Sequence, residues 1–217
     1  MSWRNLPNAL TLGRIVLALL VAPMLMTDSF AWRITGFVIF LAAAISDLFD
    51  GHLARSRNLV SDFGKLMDPL ADKLLLALTF IPFYVLDHYR EPQTPFPWLG
   101  WTLPLWILLV IFGREAFITV FRGFAARRNV ILAAGQAGKL KAVFQNIFIG
   151  AAILWYALQS AARERGWSGG TWEFWQWFHA LFAGTALAIA VVLTVYSLYV
   201  YLRDFGILSR KGGAEAR

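Results

Sequence analysis

Four aspartates, Asp47, Asp50, Asp68 and Asp72, crowd into one short stretch of a chain that is 59% hydrophobic and only 15% charged. A carboxylate in the hydrocarbon of a membrane costs about 2.5–3.5 kcal/mol even on a lenient insertion scale. Four together therefore need a counter-ion or a water-filled cavity, and a divalent cation is the economical answer. Asp47, Asp50, Gly51, Ala54 and Arg55 stand at i, i+3, i+4, i+7 and i+8, one face of a helix. Gly64, Asp68 and Asp72 recur every four residues and share a face of the next helix. Hard oxygen ligands select magnesium or manganese over zinc. Paired ions of that kind hold a diphosphate while stabilising attacking and leaving oxygens, so the chemistry that suits the cluster is phosphoryl transfer. Arg55 fits a phosphate clamp, since a guanidinium takes two oxygens at once. Gly51, Ala54 and Gly64 leave room for a nucleotide against bare helix backbone.

The elements that carry these residues belong to a membrane. With 217 residues and 10 tryptophans, the chain is too apolar for an ordinary soluble domain. A crossing takes about 20 apolar residues. Six such stretches lie near 8–27, 32–54, 66–87, 101–124, 138–160 and 176–202, predicting an all-α polytopic membrane protein with six transmembrane helices. Breaks fall at short polar pieces such as Glu91-Pro92-Gln93-Thr94-Pro95, and no repeat or long linker appears, so one domain over 1–217 is expected. The first apolar run lacks a small-residue cleavage site and reads as a retained helix, its amphipathic start running from Trp3 to Thr11. Without cysteine, disulfides and thiolate metal sites are excluded. A turn is expected around Arg57 to Ser61. Pro69 either opens a helix capped by Asp68 or kinks one beginning near Ser61; the second keeps Gly64 on the face of Asp68 and Asp72 and is preferred.

Of the 20 basic residues, only Arg33, Arg90, Arg163 and Arg165 fall on the side opposite the termini. The positive-inside rule then places both termini, and the aspartates, at the cytoplasm. The net charge of +7 crowds a membrane edge rather than a soluble groove, which favours anionic lipid or phosphorylated substrates over nucleic acid. Trp98, Trp101, Trp167, Trp172, Trp175 and Trp177 sit near the non-cytoplasmic span ends as an aromatic belt, and none of His52, His88 and His179 is assigned to metal.

The pattern D-x-x-D-G-x-x-A-R, eight residues, then G-x-x-x-D-x-x-x-D resembles the signature of the CDP-alcohol phosphatidyltransferases at eight positions. The opening Asn5-Leu6-Pro7-Asn8-Ala9-Leu10-Thr11-Leu12-Gly13-Arg14, Gly113-Arg114-Glu115 with Arg122, and Ala137-Gly138-Lys139-Leu140-Lys141 look like the phosphatidylglycerophosphate-forming branch. The resemblance implies a six-helix membrane fold, usually homodimeric, in a bacterial inner membrane. It implies transfer of a phosphatidyl group from CDP-diacylglycerol to glycerol 3-phosphate, with release of CMP. Carried over by position, Asp47, Asp50 and Asp68 are the main ligands of two Mg²⁺ or Mn²⁺ ions, and Asp72 is the general base beside the second ion. Asn8, Thr11, Gly51, Ala54, Arg55 and Gly64 would bind CDP-diacylglycerol. Arg114, Arg122, Lys139 and Lys141, at the cytoplasmic ends of the fourth and fifth spans, would hold the acceptor phosphate. Relatives of this branch often carry an acidic residue after the fourth-span arginine, where this chain has Gly123.

Rival readings stand beside these. Individual aspartates serve as helix caps, Arg55, Arg122, Lys139 and Lys141 as membrane anchors, and Arg114 with Glu115 as a structural ion pair. A divalent-cation transporter would use intramembrane carboxylates as a pathway, but would spread them over several depths. An inactive lipid-binding relative would not need all four aspartates. A sibling enzyme, such as a cardiolipin synthase or a phosphatidylinositol phosphate synthase, would share the central motif and differ only in its acceptor pocket.

Overall fold

The computed structural model describes residues 6–56, 62–92, 94, 102–127 and 135–204; within these, the side chains of 6–10, 47–56, 62–66, 68, 125–127 and 204 fall outside the description. Trp98, Trp101 and the expected turn at 57–61 also lie outside it. Six α-helices account for nearly all described residues: α1 (Leu6–Met26), α2 (Phe30–Ser56), α3 (Asp62–Val85), α4 (Leu105–Arg127), α5 (Gln136–Arg165) and α6 (Gly170–Asp204). A π-helical turn, Leu86–Arg90, extends α3. Among the described residues, three stretches are long and apolar enough to cross a membrane: Pro69–Arg90, Gln136–Arg165 and Gly170–Arg203. Large apolar side chains such as Leu12, Leu19, Val38, Leu109, Val120 and Val192 are exposed along the helices. That exterior suits acyl chains rather than water.

The chain divides into two compact units, Met1–Leu103 with Ile149–Ala183, and Pro104–Phe148 with Gly184–Arg217. In the first, α1 packs on both α2 and α3. Its buried positions run Thr11, Arg14, Ala18, Val21 and Leu25, a three-and-four alternation that makes a single stripe along the helix. On α2 the matching stripe is Arg33, Gly36, Phe40 and Ala43. Gly36 eases the approach there, because a Cβ would stand 3.2 Å from the Met24 Cβ, a tighter contact than most side chains make. Small residues let helices approach closely in lipid, where no hydrophobic force drives them together. The 149–162 part of α5 is built the same way, with Ala152, Ala157 and Ala161 buried and Gly150 against the Phe40 and Phe37 rings.

α3 continues unbroken from Asp62 through Pro69 and Pro82, as the preferred reading of Pro69 requires. In the π turn the buried Asp87 accepts a hydrogen bond from the Leu103 N–H at 2.5 Å, tying the end of the 91–103 connection back to the helix. α5 ends at Arg165, where Gly166 adopts φ +66° and the Trp167 N–H donates to the Ala162 carbonyl at 3.0 Å. This left-handed closure favours glycine. α6 starts at Gly170, earlier than expected, and its first turns build an aromatic stack. Trp172 lies on Trp175 at 4.9 Å, and Trp155 and His179 each stack on Trp175. His179 Nε2 lies 2.8 Å from the Ala151 carbonyl oxygen.

Three of the four basic residues expected on the far side, Arg33, Arg163 and Arg165, are held within the first unit. Arg33 is fully buried, and its guanidinium donates to the Leu25 and Tyr156 carbonyls, to Ser160 Oγ and to both Glu91 oxygens. Arg163 donates to Asp28 at 2.7 Å, Glu91 at 2.9 Å and Thr94 at 2.8 Å. The third, Arg165, lies over the Phe30 and Trp167 rings.

Asp28 sits in the short α1–α2 connection. Partial burial works to raise its pKa, but the hydrogen bond and charge of Arg163, with Ser160 and Arg33, hold it below the usual carboxylate value. A carboxylate with a lowered folded pKa adds stability above its unfolded pKa, and that stability is lost as pH falls through the folded value. Its side chain is 65% exposed, so solvent screening keeps the effect below about 1 kcal/mol. Asp28→Asn is therefore expected to lower thermal stability slightly at pH 7. The difference from the unsubstituted protein should shrink as pH falls through the lowered folded value of Asp28, as read from unfolding curves in detergent from neutral to acid pH.

Candidate active site

The carboxylate motif lies on two continuous helices of the first unit. Asp47, Asp50, Gly51, Ala54 and Arg55 occupy the last three turns of α2, and Gly64, Asp68 and Asp72 the first three turns of α3. The helical registers assumed from spacing are thus present in the backbone. Of these eight residues, only Asp72 has a described side chain. It is 59% exposed, and one carboxylate oxygen accepts a hydrogen bond from Arg14 Nη1 at 3.3 Å. Arg14 is itself buried on the inner stripe of α1, one turn from the buried Thr11. A guanidinium enclosed in the bundle needs an anionic partner, and here it holds an open carboxylate at the α1–α3 contact. Arg14 has no role in the sequence reading beyond its place in the opening motif. Its position in the heptad of Thr11, Ala18, Val21 and Leu25 is the signal that marks it as buried. Asn8 lies in the first turns of α1, its side chain outside the description.

The second unit carries the expected acceptor cations. Arg114 and Lys141 both pair with Glu115, Arg114 at 3.1 Å and Lys141 as a close buried contact, which joins α4 to α5. The structural ion pair of Arg114 with Glu115 is therefore present, with Lys141 as a third member. Gly138 lies beside the Arg114 guanidinium, whose Nη2 is 3.6 Å from where a Cβ would stand. Arg122 lies over the Tyr201 ring at 5.9 Å, and Lys139 is exposed.

A family model described as CDP-alcohol phosphatidyltransferase matches residues 4–196, a stretch that includes all eight motif positions. The chain belongs to the CDP-alcohol phosphatidyltransferase family. A Bacillus subtilis (strain 168) protein named CDP-diacylglycerol--glycerol-3-phosphate 3-phosphatidyltransferase is 33% identical over 163 residues, covering 69% of this chain and 77% of the relative. An Arabidopsis thaliana protein of the same name, numbered 2, is 33% identical over 204 residues, covering 92% of this chain and 78% of the relative. A Rickettsia typhi relative with that name is 33% identical over 151 residues, covering 70% and 77% of the two chains.

For a CDP-alcohol phosphatidyltransferase, the donor set on α2 and α3 suits a hard divalent cation. It is made of carboxylates at i, i+3 and i, i+4 on helices that both pack on α1, in a chain without thiols. Among the described residues no three carboxylates or imidazoles converge, and the side chains of Asp47, Asp50 and Asp68 lie outside that set.

Proposed function

We propose that this chain transfers a phosphatidyl group from CDP-diacylglycerol to the hydroxyl of glycerol 3-phosphate, releasing CMP and forming phosphatidylglycerol phosphate. The observation that carries this is the complete eight-position motif on two continuous helices, in a chain whose relatives are named for that transfer. In this reading Asp47, Asp50 and Asp68, with Asp72, hold a pair of Mg²⁺ or Mn²⁺ ions. Such ions, when bound, neutralise the diphosphate and the charge that develops on it. Asp72 takes the proton of the attacking hydroxyl as its oxygen bonds to the lipid-side phosphorus, and the bond from that phosphorus to CMP breaks. The Asp72 carboxylate, 59% exposed and bonded to Arg14 at the α1–α3 contact, supports that role by standing where solvent and substrate reach it.

Asn8, Thr11, Gly51, Ala54, Arg55 and Gly64 line the CDP-diacylglycerol site in this proposal, and Arg114, Arg122, Lys139 and Lys141 serve the acceptor phosphate. The family match runs through both compact units, which supports a single catalytic domain over 1–217. Six crossings, with both termini and the aspartates facing the cytoplasm of a bacterial inner membrane, and a homodimeric assembly complete the reading.

The test is CMP release by detergent-purified protein given CDP-diacylglycerol and magnesium, with glycerol 3-phosphate, inositol phosphate, phosphatidylglycerol or serine as acceptor. Release with glycerol 3-phosphate alone, abolished by EDTA and restored by magnesium or manganese, is the expected result. Release with a different acceptor overturns the assignment of product. Release that persists in EDTA overturns the metal role.

A further inference from the structure

The 136–148 part of α5 presents one stripe at i, i+3, i+7 and i+10: Gly138, Lys141, Gln145 and Phe148. Arg114 lies against Gly138, Glu115 is bonded to Lys141, and Phe148 is fully buried, so Gln145 is the last polar residue before the apolar interior. Gln145 is only 4% exposed, and its Nε2 has no hydrogen-bond partner among the described residues. The buried Arg114 Nε is likewise without one. Buried donors are nearly always paired. Two such donors beside an Arg–Glu–Lys cluster, in one unit, lack acceptor atoms and carry net positive charge. The ligand that completes such a group is an oxygen-rich anion.

We infer that Gln145 is an acceptor-binding, specificity-determining residue, whose Nε2 donates to the non-reacting hydroxyl of a polyol phosphate held by Arg114 and Lys141. This rests on the reading that the second unit binds the acceptor phosphate. Lys141 and Gln145 stand about one turn apart on the same face of α5, a rise of about 6 Å, so one three-carbon phosphate ester is small enough to engage both side chains. Glu115 holds Arg114 and Lys141 in place and keeps the cluster from carrying two uncompensated charges. A site built to hydrogen-bond a hydroxyl discriminates against the analogue that lacks it, because its polar group is then left unpaired.

The experiment compares kcat/KM for glycerol 3-phosphate with that for 3-hydroxypropyl phosphate, which keeps the phosphate and the reacting hydroxyl but lacks the central one. The unsubstituted protein should favour glycerol 3-phosphate. Gln145→Met, similar in length but without the donor, should reduce that preference about tenfold or more while leaving the KM for CDP-diacylglycerol within about twofold. Gln145→Glu, which keeps the shape and also removes the donor, decides the matter if the methionine variant does not fold. An unchanged preference ratio in a folded variant overturns the inference. Lys141→Met separates this from the parent reading, since it should raise the KM of both phosphates alike. If it raises both and the Gln145 variants leave the ratio intact, only the role of Gln145 falls; if it raises neither, the acceptor assignment falls with it.

Discussion

Asp72→Asn is expected to lower kcat by about 10²- to 10⁴-fold, the contribution of a positioned general base, while leaving magnesium-dependent binding of CDP-diacylglycerol largely intact. An asparagine of the same shape cannot take the hydroxyl proton, yet its amide oxygen still accepts from Arg14, so the α1–α3 contact is retained. The exchange does remove a charge paired with the buried Arg14, so a modest fall in thermal stability is expected beside the loss of kcat. Asp47→Asn is expected to behave differently. A principal metal ligand is lost, and both CDP-diacylglycerol binding and turnover should fall. Steady-state kinetics together with equilibrium binding of CDP-diacylglycerol, with and without magnesium, separate the two. Equal loss of binding in both variants would remove the distinct role of Asp72 as base.

Arg33→Met is expected to destabilise the protein by about 3–5 kcal/mol, the cost of breaking a buried ion pair by removing one partner. Arg33 is fully enclosed, and Glu91, which it holds through both oxygens, is 11% exposed. The substitution also leaves the Leu25 and Tyr156 carbonyls and Ser160 without that donor. For a chain of this size the loss corresponds to a fall in Tm on the order of 10 °C. Arg163→Met offers a contrast, since that side chain is 41% exposed and its pairs are screened, so its cost stays below about 1 kcal/mol. Replacing both Arg33 and Glu91 by apolar residues should recover part of the loss, because no charge is then left buried alone. Arg33 lies 14 residues before Asp47 on α2, about 21 Å along the helix axis. Folded Arg33→Met protein should therefore keep its kcat. Thermal unfolding in detergent checks the first part, and a shift equivalent to less than about 1 kcal/mol would contradict it.

The part of this molecule that follows local spacing is legible in the sequence. Six apolar runs give six helices, and the i, i+3 and i, i+4 spacing of the aspartates places them on the consecutive turns where α2 and α3 carry them. Helix limits are less legible. α4 begins at Leu105 rather than 101, because residues up to Pro104 serve the connection anchored by Asp87. α6 begins at Gly170 because Trp172, Trp175 and His179 find stacking partners that a hydropathy window does not register. Pairings between helices are hidden altogether. Nothing in the spacing joins Arg14 to Asp72, Lys141 to Glu115 or Arg33 to Glu91, since each depends on which faces meet. The available signal is indirect: an arginine on a buried heptad position must have an anion or several carbonyls nearby. The glutamine at 145 gives no signal in sequence, because its character comes from burial without a partner.

The central claim, a phosphatidyl transfer onto glycerol 3-phosphate, is tested most directly by following label from that acceptor. Protein reconstituted in vesicles with CDP-diacylglycerol and magnesium is supplied with radiolabelled glycerol 3-phosphate, and the label is partitioned between water and lipid. Label should move into the lipid phase as phosphatidylglycerol phosphate, one mole for each mole of CMP released, and at least about 10²-fold more slowly with Asp72→Asn. Label that remains in water while CMP is released would contradict the account, because the phosphatidyl group would then be going to a different acceptor.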